Sequence, residues 1–164
     1  MRTVYTSGYC NNHSDPHTHM VTLENSRNLL MRLMRDTNAN CIAVQGTSGL
    51  SMAYGMRMLD MLKNRKLLPF VMVRKDDGHH GSPVESLDFR TQKIGDYLIL
   101  DDFISSGNTI NRIIEKMEID RDDTDVTCRG VVLYSRALEP EHSFQVTEHR
   151  FMPYETERYL KVWK

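Results

Sequence analysis

Short apolar runs alternate with amphipathic stretches through the middle of the chain. A run of about four to eight apolar residues that ends at a polar or glycine-containing turn predicts a buried β-strand. Four such runs are present: 41–45 (CIAVQ), 70–74 (FVMVR), 97–101 (YLILD) and 129–135 (RGVVLYS). A further short strand is predicted near residues 3–6, and the chain ends in short strands and turns with clustered aromatic residues.

Apolar residues at helical spacing lie before and between these runs. Three helices are predicted: one over 24–36 with Leu23, Leu30, Leu33 and Met34 buried, one through Met52, Met56, Leu59 and Leu62, and one from near Asn108 through Ile110, Ile113, Ile114 and Met117. Strands that alternate with helices predict an α/β fold, a parallel twisted sheet with helices on both faces.

Ligands bind at the carboxyl ends of the strands in sheets of this kind. Three polar loops follow predicted strands, at 46–49, 75–93 and 101–109. We therefore expect the functional site to be built from these loops. The middle one is long for a compact domain, and that length is typical of a lid that closes over a site and excludes water.

Length, charge and cysteine content narrow the class of protein. A chain of 164 residues is expected to form one domain, and a net charge of −1 argues against a nucleic-acid-binding surface. No apolar run is long enough to span a membrane, and no signal peptide is recognisable. Three widely spaced cysteines, Cys10, Cys41 and Cys128, favour the reducing cytoplasm over a disulfide framework, with the latter two as buried thiols.

The stretch 97–110, YLILDDFISSGNTI, places two adjacent carboxylates before a hydroxyl-rich turn with a glycine. A helix that opens after such a turn favours an anion, because its N–H groups and its dipole point there. The alternative is an ordinary β–α turn with Asn108 or Ser106 as the helix N-cap. It is not a Walker loop, because the chain has no G-x-x-x-x-G-K-[ST]. A receiver-type acidic pocket would also need acids at the end of the first strand, where none is found.

The segment LILDDFISSGNTI resembles the signature of type I phosphoribosyltransferases, with Ser106 where that family usually has threonine. The resemblance extends over roughly 41–138 and implies that fold. It implies that the loop binds the 5′-phosphate of phosphoribosyl pyrophosphate, through Ser105, Ser106, Gly107, Asn108 and Thr109. Asp101 and Asp102 would contact the ribose hydroxyls as ionised catalytic groups, stabilise positive charge on the ribose, and hold Mg²⁺ indirectly through those hydroxyls or water.

The other two loops resemble the pyrophosphate-binding parts of the same family. The segment QGTSG implies pyrophosphate binding by Gly46, Thr47, Ser48 and Gly49. The segment VRKDDGHHG is similar to the loop of the orotate-type enzymes, which implies that Arg74 and Lys75 are catalytic and bind pyrophosphate together with His80. Gly78 stands where those enzymes have a further lysine. The alternative interpretation of this segment is a solvated charged loop.

The base-binding end carries the fewest matching residues. VVLYSRALE resembles the strand end at which an arginine of the orotate-type enzymes faces the base, so Arg136 is the candidate base reader, although Ser135 replaces an expected acid. The alternative is that Arg136 is a surface arginine. We expect one domain over 1–164, with a core at about 24–138 and a small hood from 1–22 and 139–164.

The resemblance implies a Mg²⁺-dependent pentosyltransferase of nucleotide metabolism, with a salvage role. It would move the 5-phosphoribosyl group from phosphoribosyl pyrophosphate to a nitrogen of orotate or a related base and release pyrophosphate. The expected state is a cytoplasmic homodimer with no nucleic-acid or membrane partner. One alternative is a non-catalytic regulator that binds a nucleotide or phosphoribosyl pyrophosphate on the same fold. Another is a metal-dependent hydrolase that uses His13, His17 and His19.

Overall fold

A computed structural model describes residues 4–6, 16–75, 84–87, 94–102, 107–119, 126–134, 146–147, 150–151 and 160–162. The strands are β1 (Val4–Thr6), β2 (Cys41–Gln45), β3 (Phe70–Val73), β4 (Val84–Ser86), β5 (Tyr97–Asp101), β6 (Cys128–Leu133), β7 (Val146–Thr147), β8 (Arg150–Phe151) and β9 (Leu160–Val162). The helices are α1 (Pro16–Thr37), α2 (Gly46–Leu62) and α3 (Asn108–Ile114), the last continued by a π-helical turn over Glu115–Ile119.

Seven of these strands form one sheet, in the order β4-β3-β2-β5-β6-β1-β9. All neighbours pair in parallel except β4, which runs antiparallel to β3 at the edge. Strands β7 and β8 make a separate antiparallel pair. The predicted parallel sheet is confirmed, and the four apolar runs supply its central strands.

Helices cover both faces of the sheet, as predicted. Alternate residues of β2 point to opposite faces. Ile42 and Val44 pack with α1 and α2 in one apolar cluster, whereas Cys41 and Ala43 pack with α3 in the other. These side chains are at most 3 % exposed, so the central strands are buried on both sides.

Helix α1 begins earlier than predicted. It starts at Pro16, eight residues before the predicted start at residue 24, and therefore includes positions 17 and 19. Proline suits the first turn of a helix, where its missing N–H has no partner in any case. The apolar stripe that predicted the helix marks only its buried part, from Leu23 onward.

Two segments predicted as loops contain regular structure. Residues 46–49 form the first turn of α2 rather than a separate loop, because the helix begins directly after β2. Within the predicted long loop, Val84–Ser86 forms the edge strand β4, with Val84 buried against the core. Residues 76–83 and 88–93 lie outside the described part.

Strands β1 and β9 belong to the main sheet, although they come from the segments that the sequence analysis assigned to a hood. The hood and the domain boundaries stay a prediction. Among the described residues, no helix combines the length and the apolar composition needed to cross a lipid bilayer.

Candidate active site at the carboxyl edge of the sheet

The order of the strands reverses between β2 and β5. From β2 the chain continues to β3 on one side, and β5 and β6 follow on the other. Ligand sites in open α/β sheets lie at such a switch point, beyond the carboxyl ends of the strands. Here these ends lead into Gly46 after β2 and into Asp101 and Asp102 at β5, so two of the three predicted loops meet at one edge.

The two acids are close together and differently exposed. Asp101 closes β5 and is only 5 % exposed, whereas Asp102 is half-buried. The backbone N–H of Asp102 donates to Asp101 Oδ1 at 3.0 Å. The predicted pair is therefore present, and one of its carboxyl groups is turned into the protein.

Burial raises the pKa of Asp101 from 3.8 to about 7. The Asp102 N–H lowers this pKa, the neighbouring Asp102 carboxylate raises it, and the charge of Lys75 lowers it. We predicted that both acids are ionised at neutral pH. A pKa of about 7 leaves Asp101 only partly ionised there, because its carboxyl group is buried beside a second carboxylate.

Lys75 lies directly over the start of α2. A Cβ built on Gly46 would be 3.3 Å from Lys75 Cε and 3.5 Å from its Nζ. Gly46 also has φ +72°, a conformation that strains any residue with a side chain. The structure thus brings the lysine of one predicted pyrophosphate loop onto the glycine of the other.

Gln45 fixes the backbone that leads to Lys75. Its amide is 3 % exposed, and Nε2 donates to the carbonyl of Arg74 at 3.2 Å. Arg74 itself is half-buried at the end of β3. Sequence reasoning missed Gln45, and the signal that could have found it is a polar residue at the end of an otherwise apolar strand.

The start of α3 has the backbone expected of the third loop. Gly107 is the N-cap of α3, is buried, and adopts the left-handed conformation with φ 77°. Asn108 is exposed and Thr109 is half-buried in the first turn. A glycine in this conformation leaves the backbone open to close approach by a ligand.

Tyr134 is a site residue that the sequence analysis did not identify. It follows β6, and its N–H donates to the carbonyl of Asp101 at 3.1 Å. Burial, and then the charge of Asp102, raise the pKa of this phenol. Its position just after an apolar strand, at the predicted ligand edge, was the available signal.

A groove of about 840 Å³ extends from this edge along α2. Its polar end is lined by Gly46, Thr47, Arg74 and Lys75, and its apolar end includes Tyr54 and Met58. The volume lies within the range of roughly 300–1,000 Å³ that is usual for small-molecule sites.

Several predicted site residues lie outside the described part: Ser105, Ser106, His80 and Arg136, as well as His13. Positions 17 and 19 lie in the first turn of α1. Within the ranges that the structure describes, no three His, Cys, Asp or Glu side chains are grouped to hold a metal ion. At the described part of this edge, Asp101 and Asp102 offer carboxylate oxygens, which suit Mg²⁺ bound mainly through water and substrate.

Comparison with solved structures identifies the fold. An orotate phosphoribosyltransferase from Francisella tularensis aligns over 85 % of this chain and 60 % of its own, with a TM-score of 0.55 and 14 % identity. An orotate phosphoribosyltransferase from Aeropyrum pernix aligns over 73 % of this chain and 60 % of its own, with a TM-score of 0.44 and 21 % identity. The xanthine-guanine-hypoxanthine phosphoribosyltransferase of Helicobacter pylori aligns over 74 % of this chain and 85 % of its own, with a TM-score of 0.40 and 11 % identity.

No protein-family model and no curated protein matches the chain. The chain spans less than two thirds of the Francisella protein, and the alignment with that protein carries the fold assignment. The chain has the type I phosphoribosyltransferase fold, as its motifs predicted.

Proposed function

We propose that this protein is a pentosyltransferase that moves the 5-phosphoribosyl group from phosphoribosyl pyrophosphate to a nucleobase nitrogen and releases pyrophosphate. The observation that carries this proposal is the arrangement at the switch point of the sheet. There Asp101 and Asp102 lie at the end of β5, and Lys75 lies over Gly46 at the start of α2. The acid pair can accept hydrogen bonds from a diol, and Lys75 over the first residue of α2 can bind an anion. This arrangement suits a substrate with a diol at one end and a polyanion at the other.

The acids act on the ribose in this proposal. They accept hydrogen bonds from the 2′- and 3′-hydroxyls and stabilise the positive charge that develops as the bond to pyrophosphate breaks. Because Asp101 has a pKa of about 7 without ligand, positive charge near it favours its ionised form. Positive charge brought by Mg²⁺ and the ribose would therefore favour the Asp101 carboxylate, with its proton released to solvent.

The anionic parts of the substrate are bound by backbone and cations. We assign the 5′-phosphate to the loop from Ser105 to Thr109, which the left-handed Gly107 opens to close approach. We assign the pyrophosphate to the first turn of α2, with Arg74, Lys75 and His80. Mg²⁺, held indirectly by Asp101 and Asp102, would neutralise pyrophosphate charge.

Orotate or a related base is the proposed acceptor, with Arg136 as its reader. We also propose a homodimer, because Tyr54, Met58, Met61 and Leu62 leave an apolar face of α2 between 52 % and 80 % exposed. Cys41 and Cys128 are buried thiols, which supports a cytoplasmic location.

The direct test is pyrophosphate release with Mg²⁺, phosphoribosyl pyrophosphate and each base in turn. Two variants separate the halves of the site. Asp102→Asn should lower kcat and retain affinity for ribose 5-phosphate, because it deletes a charge needed mainly in the transition state. Gly107→Val should abolish binding of both ribose 5-phosphate and phosphoribosyl pyrophosphate, because valine resists this backbone conformation and blocks approach.

The outcomes of this test also separate the alternatives. Ligand binding without pyrophosphate release across the full base panel supports the alternative of a non-catalytic regulator. The presence of Gly78, where the orotate-type enzymes have a lysine, favours that alternative. A reaction with purines but not with orotate or uracil overturns the orotate-type acceptor and leaves the transfer reaction. Normal binding by Gly107→Val, or the parent rate in Asp102→Asn, contradicts the proposed site.

A further inference from the structure

Gln45 is a buried polar residue at the carboxyl end of an apolar strand. Strand β2 reads CIAVQ, and Gln45 is its last residue, directly before Gly46. Gln45 is only 3 % exposed. Burying an amide costs free energy unless its polar atoms are hydrogen-bonded. A buried glutamine at the ligand edge of the sheet therefore needs an explanation.

The nitrogen end of this amide connects two neighbouring strands. Gln45 and Val73 are partners at the ends of β2 and β3. Gln45 Nε2 donates to the carbonyl of Arg74 at 3.2 Å, one residue beyond β3. The next residue is Lys75, whose Cε is 3.3 Å from a Cβ built on Gly46. The hydrogen bond therefore holds the backbone directly before the lysine that lies over the start of α2.

The oxygen end of the amide is unpaired. Gln45 Oε1 is buried and has no hydrogen-bond partner among the described residues. A single hydrogen bond adds little net stability, whereas a buried polar atom without a partner costs at least as much. Gln45 is therefore expected to contribute little to the stability of the fold. An apolar side chain of similar length would fill the same space without the unpaired oxygen.

We propose that Gln45 is a positioning residue for Lys75, whose amide holds the Arg74 carbonyl so that the lysine ammonium stays over the first turn of α2. This inference rests on the proposed function and deepens it, because it names the residue that places a cation where the pyrophosphate is assigned. A cation that is held in place before the anion arrives loses less entropy on binding. Gln45 itself contacts neither pyrophosphate nor ribose in this proposal.

A purely structural role is the competing explanation, since the same hydrogen bond also joins the ends of β2 and β3. The chain offers a matched control at the other end of β2. Asn40 directly precedes this strand, and its Oδ1 accepts a hydrogen bond from the Gly95 N–H at 3.0 Å. Asn40→Leu removes a comparable bond between a side-chain amide and the backbone, at the edge of the sheet opposite the site.

The test uses Gln45→Met, Lys75→Ala, the double variant and Asn40→Leu. Each is titrated calorimetrically with pyrophosphate plus Mg²⁺ and, separately, with ribose 5-phosphate, and each is melted. Gln45→Met should weaken pyrophosphate binding about fivefold, the scale of one neutral hydrogen bond. Affinity for ribose 5-phosphate should stay within about twofold, a change below that scale. The melting temperature of Gln45→Met should fall by no more than about 4 °C.

The double variant should bind pyrophosphate no more weakly than Lys75→Ala alone, because Gln45 acts only through Lys75. Additive losses in the double variant overturn the inference, as does equal weakening of the two ligands by Gln45→Met. Asn40→Leu should keep both affinities, whatever its melting temperature. A fivefold loss of pyrophosphate affinity in Asn40→Leu also overturns the inference, because loosening β2 at either end would then have the same effect.

A second variant, Gln45→Leu, covers the case in which Gln45→Met does not fold. It also lacks the amide, so the same affinities are expected. If neither variant folds, Gln45 holds the fold rather than the lysine, and the inference is overturned.

Failure of this inference and failure of the proposed function give different results. A parent protein that binds neither pyrophosphate nor ribose 5-phosphate refutes the proposed function, and this inference with it. A parent that binds both, with unchanged pyrophosphate affinity in Gln45→Met, refutes the role of Gln45 alone.

Discussion

In the part of the chain that the structure describes, buried carboxyl groups occupy two regions, and their surroundings differ. At the interface of α1 and α2, the fully buried Asp60 forms an ion pair with Arg27, whose Nη2 also donates to the carbonyl of Lys66 at 3.4 Å. At the carboxyl edge of the sheet, the nearly buried Asp101 lies beside a second carboxylate, that of Asp102. The buried charge of Asp60 is compensated by an arginine, whereas Asp101 has no arginine partner among the described residues and lies beside a second carboxylate.

The difference separates a structural acid from a functional one. A buried charge without compensation is costly, so a stable fold pairs it or keeps it protonated. Asp60 follows the first route and Asp101 the second, with its pKa raised to about 7. A site that crowds carboxylates in this way is prepared for positive charge supplied from outside, which is the role that the proposed reaction gives to the ribose and Mg²⁺.

The largest effect is expected from breaking the helix pair. Arg27→Met removes the cation and leaves the Asp60 carboxylate buried without it, so the free energy of unfolding should fall by about 3–5 kcal/mol. Urea unfolding measures this change. The remaining folded protein should bind ribose 5-phosphate as the parent does, because Arg27 pairs with Asp60, near the end of α2 that lies away from Gly46.

A second substitution tests the explanation for Arg27. Adding Asp60→Leu removes the stranded charge, and replacing a buried ion pair by apolar residues is often nearly neutral. The double variant should therefore recover most of the lost stability. If it is as unstable as Arg27→Met alone, packing rather than charge accounts for the effect.

Lys75→Ala, at the carboxyl edge of the sheet, should have the opposite effect to Arg27→Met, because it should lower turnover and leave stability nearly unchanged. Turnover should fall about 100-fold, the effect of losing one donor to transition-state charge. The free energy of unfolding should change by less than about 0.5 kcal/mol, because Lys75 is exposed. Pyrophosphate release and urea unfolding give the two values, and Lys63→Ala, on the far end of α2, is the matched control. A parent rate in Lys75→Ala removes this lysine from the mechanism.

The elements of the fold were predictable where one short segment decides them. The runs that became β2, β3, β5 and β6 are short and mostly apolar, and burial on both faces favours this pattern, although Arg129 of β6 is exposed. The acid pair and Gly107 could be predicted as site residues because all three lie in one short segment of the sequence, 97–110. Helix α1 was underestimated because its first turns lack the apolar stripe from which the prediction was made.

Contacts between distant segments could not be predicted in the same way. The hydrogen bond from the Tyr134 N–H to the Asp101 carbonyl depends on the register of β6 beside β5. The raised pKa of Asp101 depends on how deeply the end of β5 lies in the fold. Neither quantity is encoded in local composition, and both emerge only when the whole sheet is assembled.

A pH titration of stability sharpens the contrast between the two buried acids. The pKa of Asp101 is about 7 in the folded protein, whereas the ordinary pKa of an aspartate, expected in the unfolded chain, is 3.8. The folded protein therefore holds this proton more tightly than the unfolded chain does. This group's contribution to stability therefore falls as pH rises between these values and is lost above about pH 7. The expected loss between pH 5 and pH 8 is about 2.5 kcal/mol.

The difference between variants isolates this group from the other titrating residues. Asp101→Asn should remove the loss that Asp101 causes between pH 5 and pH 8. Asp102→Asn should reduce it in part, because the Asp102 carboxylate is one cause of the raised pKa and burial is the larger one. Urea unfolding at both pH values supplies the comparison, and equal slopes in parent and Asp101→Asn would contradict the assigned pKa.

The smallest effect is expected for the second ion-pair group between α1 and the end of α2. Glu24 Oε1 accepts hydrogen bonds from Arg65 at 2.7 Å and from Lys63 at 3.3 Å. Unlike Asp60, these side chains are 27–44 % exposed, so water solvates them when a partner is lost.

Arg65→Ala should lower the free energy of unfolding by no more than about 1 kcal/mol, and Lys63→Ala by less. The loss should shrink in 0.5 M salt, because exposed pairs are screened, whereas the effect of Arg27→Met should persist. A salt-insensitive loss of several kcal/mol from Arg65→Ala would mean that burial does not distinguish the two ion pairs.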